Sequence, residues 1–307
     1  MWRSVLVNTA TMATKNPHFY LPFNFGAIPH ELAEYASSKI AILPVPYDAT
    51  TTYQPGTRNG PRALIEASRC LEFYDEETEK NFSGLGVCTL DELEVVDDAG
   101  KMVNRVYEAV KVLLGDDKKA VVIGGEHSIS SGSVKAHKEK YPDLTVLHVD
   151  AHADMRDELA ENRYNHGCVA RRISEMCPIV SVGVRSIAEE EMEHIRGSSG
   201  RIKIFFAKDI HSSSNWMDEV VKSLGKNVYI TIDLDAFDIS VMPSVGTPQP
   251  GGMQWYQMLE FMKKLAAAKN IVGFDVTELM PIPGNHAPDV LAAKLVYKLV
   301  GYFFSKQ

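Results

Sequence analysis

The sequence predicts an α/β fold: one domain with a central parallel sheet and helices on both of its faces. Three observations carry that reading. Short runs rich in Val and Ile recur along the chain without polar alternation: "KIAILPV" (39–45), "AVVIGG" (120–125), "LTVLHVD" (144–150), "PIVSVGV" (178–184), "IKIFFA" (202–207), "NVYITIDLD" (227–235) and "NIVGFDV" (270–276). Strands buried on both faces read this way, as a parallel sheet covered by helices requires. Between the runs lie segments with helical spacing, including Val103–Leu114, Ser128–Lys140, Trp216–Leu224 and Trp255–Ala268, which supplies the βαβ rhythm. Polar clusters then follow the ends of four of the runs, where open α/β sheets bind their ligands.

The remaining stretches fit one domain of 307 residues. No Pro/Gly/Ser-rich linker, charge block or internal repeat divides the chain. Residues 1–38 read as an N-terminal extension and about 39–305 as the core. The last stretch, "PDVLAAKLVYKLVGYFF", reads as a docking helix starting near Pro288. Its expected apolar face carries Val290, Leu291, Leu295, Leu299 and Phe303, with Lys294 and Lys298 on the wet side.

Composition narrows the functional classes. A hydrophobic content of 45% with 23% charged residues is that of an ordinary globular chain, large enough to need no staples. The net charge of −8 argues against a nucleic-acid surface and favours small cationic partners. No run approaches the roughly 20 apolar residues of a membrane span. The four cysteines, Cys70, Cys88, Cys168 and Cys177, form no CxxC pair or zinc-type spacing. Free thiols in the cytoplasm are therefore expected.

The chemistry is concentrated at the strand ends. "GGEHS" follows "AVVI", "DAHAD" follows "LTVLHV", "DLD" ends "NVYIT" and "TEL" follows "GFDV". They deliver His127, then Asp150, His152 and Asp154, then Asp233 and Asp235, then Glu278 to one rim. Side chains two apart along an extended strand share a face, so Asp150, His152 and Asp154 are expected to point one way, as are Asp233 and Asp235. Four converging carboxylates repel and would neutralise by protonation; two divalent cations balance them. Carboxylate oxygen with imidazole and no thiolate suits Mn²⁺, with zinc or iron as the alternatives because affinity order does not set occupancy. Two aspartates bridging two such ions can hold a shared water and lower its pKa, which points to a metal-activated hydrolase. His148 shares parity with Asp150 but lies deeper in the apolar run, and reads as a satisfied core histidine. His18, His30, His137, His194, His211 and His286 show no partner pattern and read as surface or structural.

Taken together, "GGEHS", "DAHAD" and "TIDLDAFD", in this order and at these separations, resemble the ureohydrolase family of arginases and agmatinases. Upstream "YDATTTYQPGTRNGPRALIEAS" (47–68) and downstream "VGTPQPGGM" (245–253) are similar too, so the likeness spans about residues 40–290. The resemblance implies an arginase-like domain with two manganese ions per subunit and a trimeric or hexameric homo-oligomer. It implies one ion on His127, Asp150, Asp154 and Asp233, and the other on Asp150, His152, Asp233 and Asp235. Glu278 would pair with a substrate guanidinium and His166 would shuttle a proton. Thr231, where the family often has Ser, and Asp238-Ile239, where Pro often follows the aspartate, depart from the pattern without touching a ligand.

The expected reaction is attack by a metal-bridging hydroxide on a guanidinium carbon. Glu278 would orient the cation through charge-assisted hydrogen bonds, Asp154 would orient the nucleophile and relay its proton, and His166 would protonate the leaving amine. The loop "MRDELAENRYNHG" (155–167) is expected to set the substrate. Asp157, Glu158 and Glu161 suit a terminal ammonium, with Glu161 and Asn165 taken as substrate-binding residues. The loop resembles those of agmatinases, so agmatine, cleaved to putrescine and urea, is the expected substrate. Arginine and guanidinobutyrate are the alternatives; Arg156 or Arg163 would face the carboxylate of guanidinobutyrate or of an acidic formimino substrate. A binuclear phosphoesterase would need cationic phosphate clamps at the rim, a related deacetylase would bind one zinc through fewer carboxylates, and a non-catalytic assembly subunit would be free to lose ligands that are all present here.

Overall fold

The apolar runs become the strands of one eight-stranded sheet in a computed structural model that describes residues 21–305. In chain order the elements are β1 (Ile40–Val45), α1 (Gly60–Ser68), β2 (Tyr74–Asp75), β3 (Lys80–Asn81), β4 (Val87–Thr89), α2 (Ala99–Gly115), β5 (Lys119–Gly124) and α3 (Ser130–Lys140). They continue with β6 (Thr145–Val149), α4 (Val169–Met176), β7 (Ile179–Val184), α5 (Glu189–Gly197), β8 (Ile202–Phe206), α6 (Ala207–Ser212) and α7 (Trp216–Ser223). β9 (Asn227–Asp233), α8 (Trp255–Ala268), β10 (Asn270–Thr277) and α9 (Ala287–Phe304) complete the fold. The sheet order is β4-β1-β5-β10-β9-β6-β7-β8, and every pairing in it is parallel. β2 and β3 form a separate antiparallel hairpin.

Alternate strand residues feed opposite faces, which is why the runs had to be apolar throughout. Ile42, Ile123, Leu147, Ile230 and Phe274 pack beneath α1, α7, α8 and α9. Leu43 and Val122 face α2, and Val146, Tyr229 and Val272 face α3 and α4. Phe25 and Ile28, ahead of β1, are each 1% exposed within the first of these layers. The short edge strand β4 carries no extended apolar run, so periodicity gave no sign of it.

α9 departs from its expected pattern. Lys298, expected on the wet side, is 2% exposed, while Val290 on the expected apolar face is 42% exposed. The β2–β3 hairpin lies against α9 and brings Asp75 Oδ2 to 2.8 Å and Glu76 Oε1 to 2.9 Å from Lys298 Nζ. A partner more than 200 residues away in sequence leaves no trace in helical periodicity. Removing one member of a buried ion pair strands the other, so Lys298→Ala is expected to cost about 3 kcal/mol of stability. Urea unfolding checks this, and an unchanged midpoint would remove the pair from the account.

Candidate metal centre and substrate cavity

The four strands whose tips carry the polar clusters, β5, β10, β9 and β6, are consecutive in the sheet. They are not consecutive in the chain: β6 follows β5 in sequence but lies three places away, with β10 and β9 between them. That reversal of strand order opens a crevice at the carboxyl ends. "GGEHS" is shaped by close packing: a Cβ on Gly125 would sit 2.1 Å from the Tyr47 carbonyl oxygen. Gly125 N–H donates to the Val45 carbonyl and Glu126 N–H to that of Tyr47, which sets His127 at the sheet's rim.

Asp150, His152 and Asp154 do converge, but not by strand alternation. β6 ends at Val149, and Asp154 adopts a left-handed backbone with φ of 51°. In an extended strand, residues four apart are separated by roughly 13 Å, too far to share one ion. The turn folds Asp154 back, so that its Oδ2 lies 3.6 Å from His127 Nδ1. Asp235 likewise sits in a 3-10 turn, its N–H donating to Asp233 Oδ1 at 2.8 Å. Glu278 is also left-handed, with φ of 67°. Two site carboxylates thus occupy backbone states that cost about 1 kcal/mol or more each, held by the surrounding structure.

The geometry fits divalent cations. His127 Nδ1 lies 3.0 Å from Asp150 Oδ2 and 3.3 Å from Asp233 Oδ2, yet it is buried without a hydrogen bond. Its Nε2 lies 2.8 Å from Thr231 Oγ1, whose hydroxyl proton goes to Asp275 Oδ1 at 2.6 Å. Thr231 can therefore only accept from the ring, which fixes the proton on Nε2 and turns the Nδ1 lone pair toward the carboxylates. Such support behind a histidine orients it as a metal ligand. Ligand atoms of His127, His148, Asp150 and Asp154 lie within 4.8 Å of one another, as do those of Asp150, His152 and Asp235. Asp150 is common to both groups. Within the first, His148 is already engaged: Nε2 lies 2.8 Å from Asp150 Oδ2 and Nδ1 3.0 Å from Ser181 Oγ. It is the satisfied core histidine expected, and it also holds Asp150. Asp233 takes its place facing His127, as the expected ligand set requires.

The electrostatics call for positive charge at the centre. Burial first, and then Asp235 and Asp150, push Asp233 well up; burial and Asp150 do the same to Asp154. Burial opposes a charged ring on His152, but Asp235 and Asp150 prevail and push it up to about 12. Protons are retained wherever a cation would otherwise balance the carboxylates.

A cavity of about 370 Å³ opens onto the cluster, and His152, Asp154, Asp233, His166, Thr52, Thr247, Leu159, Ile187, Arg156 and Glu191 are among its lining residues. Glu278 is 3% exposed; Oε1 accepts His127 N–H at 2.7 Å and lies 3.7 Å from His166 Nδ1, itself a lining residue. Burial disfavours the charged His166 ring, but Glu278, with Asp154 and Glu126 behind it, pushes His166 up to about 9.

The 155–167 loop departs from expectation in its details. Ala160 and Glu161 are left-handed within a tight turn bridged by Leu159 and Asn162, which leaves Glu161 exposed and away from the cavity lining. Asn165 is buried and shapes the loop: it accepts Gly167 N–H and donates to the Thr50 carbonyl. Arg156 pairs with Glu190, and Arg163 with Asp157 at 3.1 Å, so each faces a protein carboxylate. Asp157 is also bound by Arg172 at 2.6 Å. Beyond the aspartates of the cluster, the acidic side chain that lines the cavity is Glu191, whose two oxygens accept Met155 N–H and Ala188 N–H. Sequence reasoning missed it, together with Asp275, whose only signal was polarity inside apolar or acidic runs; Thr231, expected to touch no ligand, instead holds the His127 ring through its hydroxyl.

A doubly covered parallel sheet with clustered aspartates and histidines at the switch of its strand order defines a metal-dependent α/β protein. The chain belongs to the arginase family, whose model matches residues 38–301, a family dependent on binuclear metal sites. It is 38% identical over 287 residues to an N(1)-aminopropylagmatine ureohydrolase from Synechocystis sp., covering 90% of this chain and 92% of the relative. An agmatinase from Pyrococcus horikoshii is 33% identical, over 85% of this chain and 90% of its own. The agmatine ureohydrolase structure of Thermoplasma volcanium superposes with a TM-score of 0.83 at 28% identity, covering 92% and 95% of the two chains. Among the described residues no helix is long and apolar enough to cross a membrane, and all four cysteines are free.

Proposed function

We propose that this protein hydrolyses the guanidino group of agmatine to urea and putrescine, with two Mn²⁺ ions held by His127, Asp150, His152, Asp154, Asp233 and Asp235. The observation that carries the reading is the unpaired His127 Nδ1 facing three aspartates beside Glu278. Divalent cations bound there supply Lewis acidity that makes water a nucleophile near neutral pH. Glu278 Oε1 is taken by His127 N–H, leaving Oε2 to accept from the guanidinium and hold its carbon over the cluster. Asp154 receives the proton of the attacking water. His166, half-buried and favoured in its protonated form, delivers a proton to the leaving amine. With the four aspartates balanced by the ions, the further carboxylate of Glu278 favours a cationic substrate, and Arg156 and Arg163, each paired with a carboxylate, offer no free anchor for the carboxylate of arginine.

A second reading has a specific observation behind it. The relative at 38% identity is named for N(1)-aminopropylagmatine, and the apolar cavity walls formed by Ala153, Leu159, Ile187 and Ala188 suit a longer polymethylene chain. Urea release from agmatine, N(1)-aminopropylagmatine, guanidinobutyrate and arginine, with Mn²⁺ added, tests both. Agmatine is expected to exceed arginine at least about tenfold in kcat/KM. A larger kcat/KM for the aminopropyl compound selects the second reading, and equal turnover of arginine overturns both. Cytoplasmic residence and assembly into trimers or hexamers belong to the same proposal.

A further inference from the structure

His166 opens a single 3-10 turn, His166–Cys168, on the loop between Asp154 and α4, and groups outside that loop hold it in place. Thr50 is at the centre of that support. Its N–H donates to Glu126 Oε2 at 2.6 Å and its hydroxyl lies 2.5 Å from Glu126 Oε1. The same hydroxyl accepts the backbone N–H of His166 at 2.9 Å, and the Thr50 carbonyl accepts from Asn165 Nδ2 at 3.2 Å. Two residues on, Thr52 Oγ1 lies 3.1 Å from His166 Nε2.

Glu126 is fully buried and receives Ser128 Oγ as a further partner. A carboxylate so enclosed is tolerated only when its lone pairs are filled, and Thr50 fills two of them. Although it adjoins His127, Glu126 has no part in the reaction proposed above. The segment bearing Thr50 is closed at its base as well, where Asp48 Oδ2 accepts the N–H groups of Gly56 and Arg58 at 2.9 and 3.1 Å. The segment is therefore a braced ledge, fastened at one end to β5's tip through Glu126 and offering hydroxyls to His166.

We propose that Thr50 and Glu126 are positioning residues for His166: the buried carboxylate orients the Thr50 hydroxyl, which accepts the His166 N–H and sets the ring against the leaving group. The inference rests on the reading of His166 as proton donor. It concerns proton delivery, not ion binding or substrate affinity, which gives it distinct kinetic consequences.

The experiment compares Thr50→Val, Thr50→Ser, His166→Asn and the double variant Thr50→Val/His166→Asn, each loaded with Mn²⁺, for kcat, KM and bound metal. Thr50→Val is expected to lower kcat roughly tenfold to a hundredfold, the scale of a misplaced catalytic group, with KM within about twofold and an unchanged metal content. Thr50→Ser keeps the hydroxyl and is expected to restore most of the rate. If Thr50 acts through His166, adding Thr50→Val to His166→Asn costs nothing further. Should Thr50→Val prove insoluble, Glu126→Gln carries the same comparison in its place. Wild-type kcat in Thr50→Val, multiplying losses in the double variant, or lost metal overturns the inference alone when His166→Asn is slow. Wild-type turnover in His166→Asn instead overturns the underlying reading of His166.

Discussion

Asp150→Asn is expected to abolish both metal uptake and urea release, lowering turnover by roughly 10³-fold to 10⁴-fold. Asp150 is the one residue common to both groups of clustered ligand atoms among the described residues, and it is fully buried. Oδ2 lies 2.8 Å from His148 Nε2 and 3.0 Å from His127 Nδ1, and Oδ1 accepts His152 N–H at 2.5 Å. An amide there removes one negative charge from each ion's surroundings. It also turns an N–H donor toward either the backbone N–H of His152 or the ring of His148, where an acceptor is needed. Neither orientation satisfies both sides. Elemental analysis of purified variant protein, alongside the urea assay, checks the result. A full complement of two ions with turnover within about tenfold of wild type would contradict the bridging role assigned to Asp150.

Glu278→Gln is expected to spare the fold and the ions while lowering kcat/KM for agmatine by roughly 10²-fold to 10³-fold, the scale of losing a charge-assisted, partly desolvated pairing. The amide oxygen can still accept His127 N–H in place of Oε1, so the metal ligand stays where it is. What is lost is the negative charge facing the guanidinium and, with it, the carboxylate that does most to raise His166. The sign follows. His166 is pushed up to about 9 with Glu278 present, so its proton-donating form persists below that pH and disappears as pH rises through it. In Glu278→Gln the donor is lost at lower pH. Difference NMR titration of the His166 ring in chelator-treated protein checks the shift, with His166→Asn assigning the signal. An unmoved His166 would mean that the 3.7 Å approach to Glu278 does not govern its charge. The same linkage bears on stability: a histidine raised on folding lends stability in full below its unfolded pKa and loses it as pH climbs through about 9.

The strands were legible because burial on both faces forces continuous apolar runs, and those from β5 to β10 fall within a residue or two of their expected bounds. The ligand types were legible for a related reason. Charged side chains at the end of an apolar run must find a partner, and only cations reconcile four aspartates in so short a compass. Geometry was less accessible. Strand parity placed Asp150 and Asp154 on one side, but their convergence comes from the left-handed turn at Asp154, a local backbone choice that Asp tolerates and that alternation does not encode. Glu161 looked suited to a terminal ammonium by charge alone, whereas the turn at residues 159–162 carries it outward.

By itself the sequence determined the class of fold, the carboxylate and imidazole side chains gathered at the strand ends, and the cationic preference that an anionic rim imposes, since each follows from composition and local periodicity. Tertiary structure alone decided which strands neighbour one another, and so which residues stand behind the site. Thr231 and Asp275 fix the His127 tautomer, and Glu126 with Thr50 braces His166, because β9, β10 and the 48–58 loop are brought beside β5 across long stretches of chain. Lys298 is buried for the same reason: its carboxylate partners arrive from a hairpin more than 200 residues distant. Hydrogen bonds between residues remote in sequence depend on topology, and no local pattern of residue types records them.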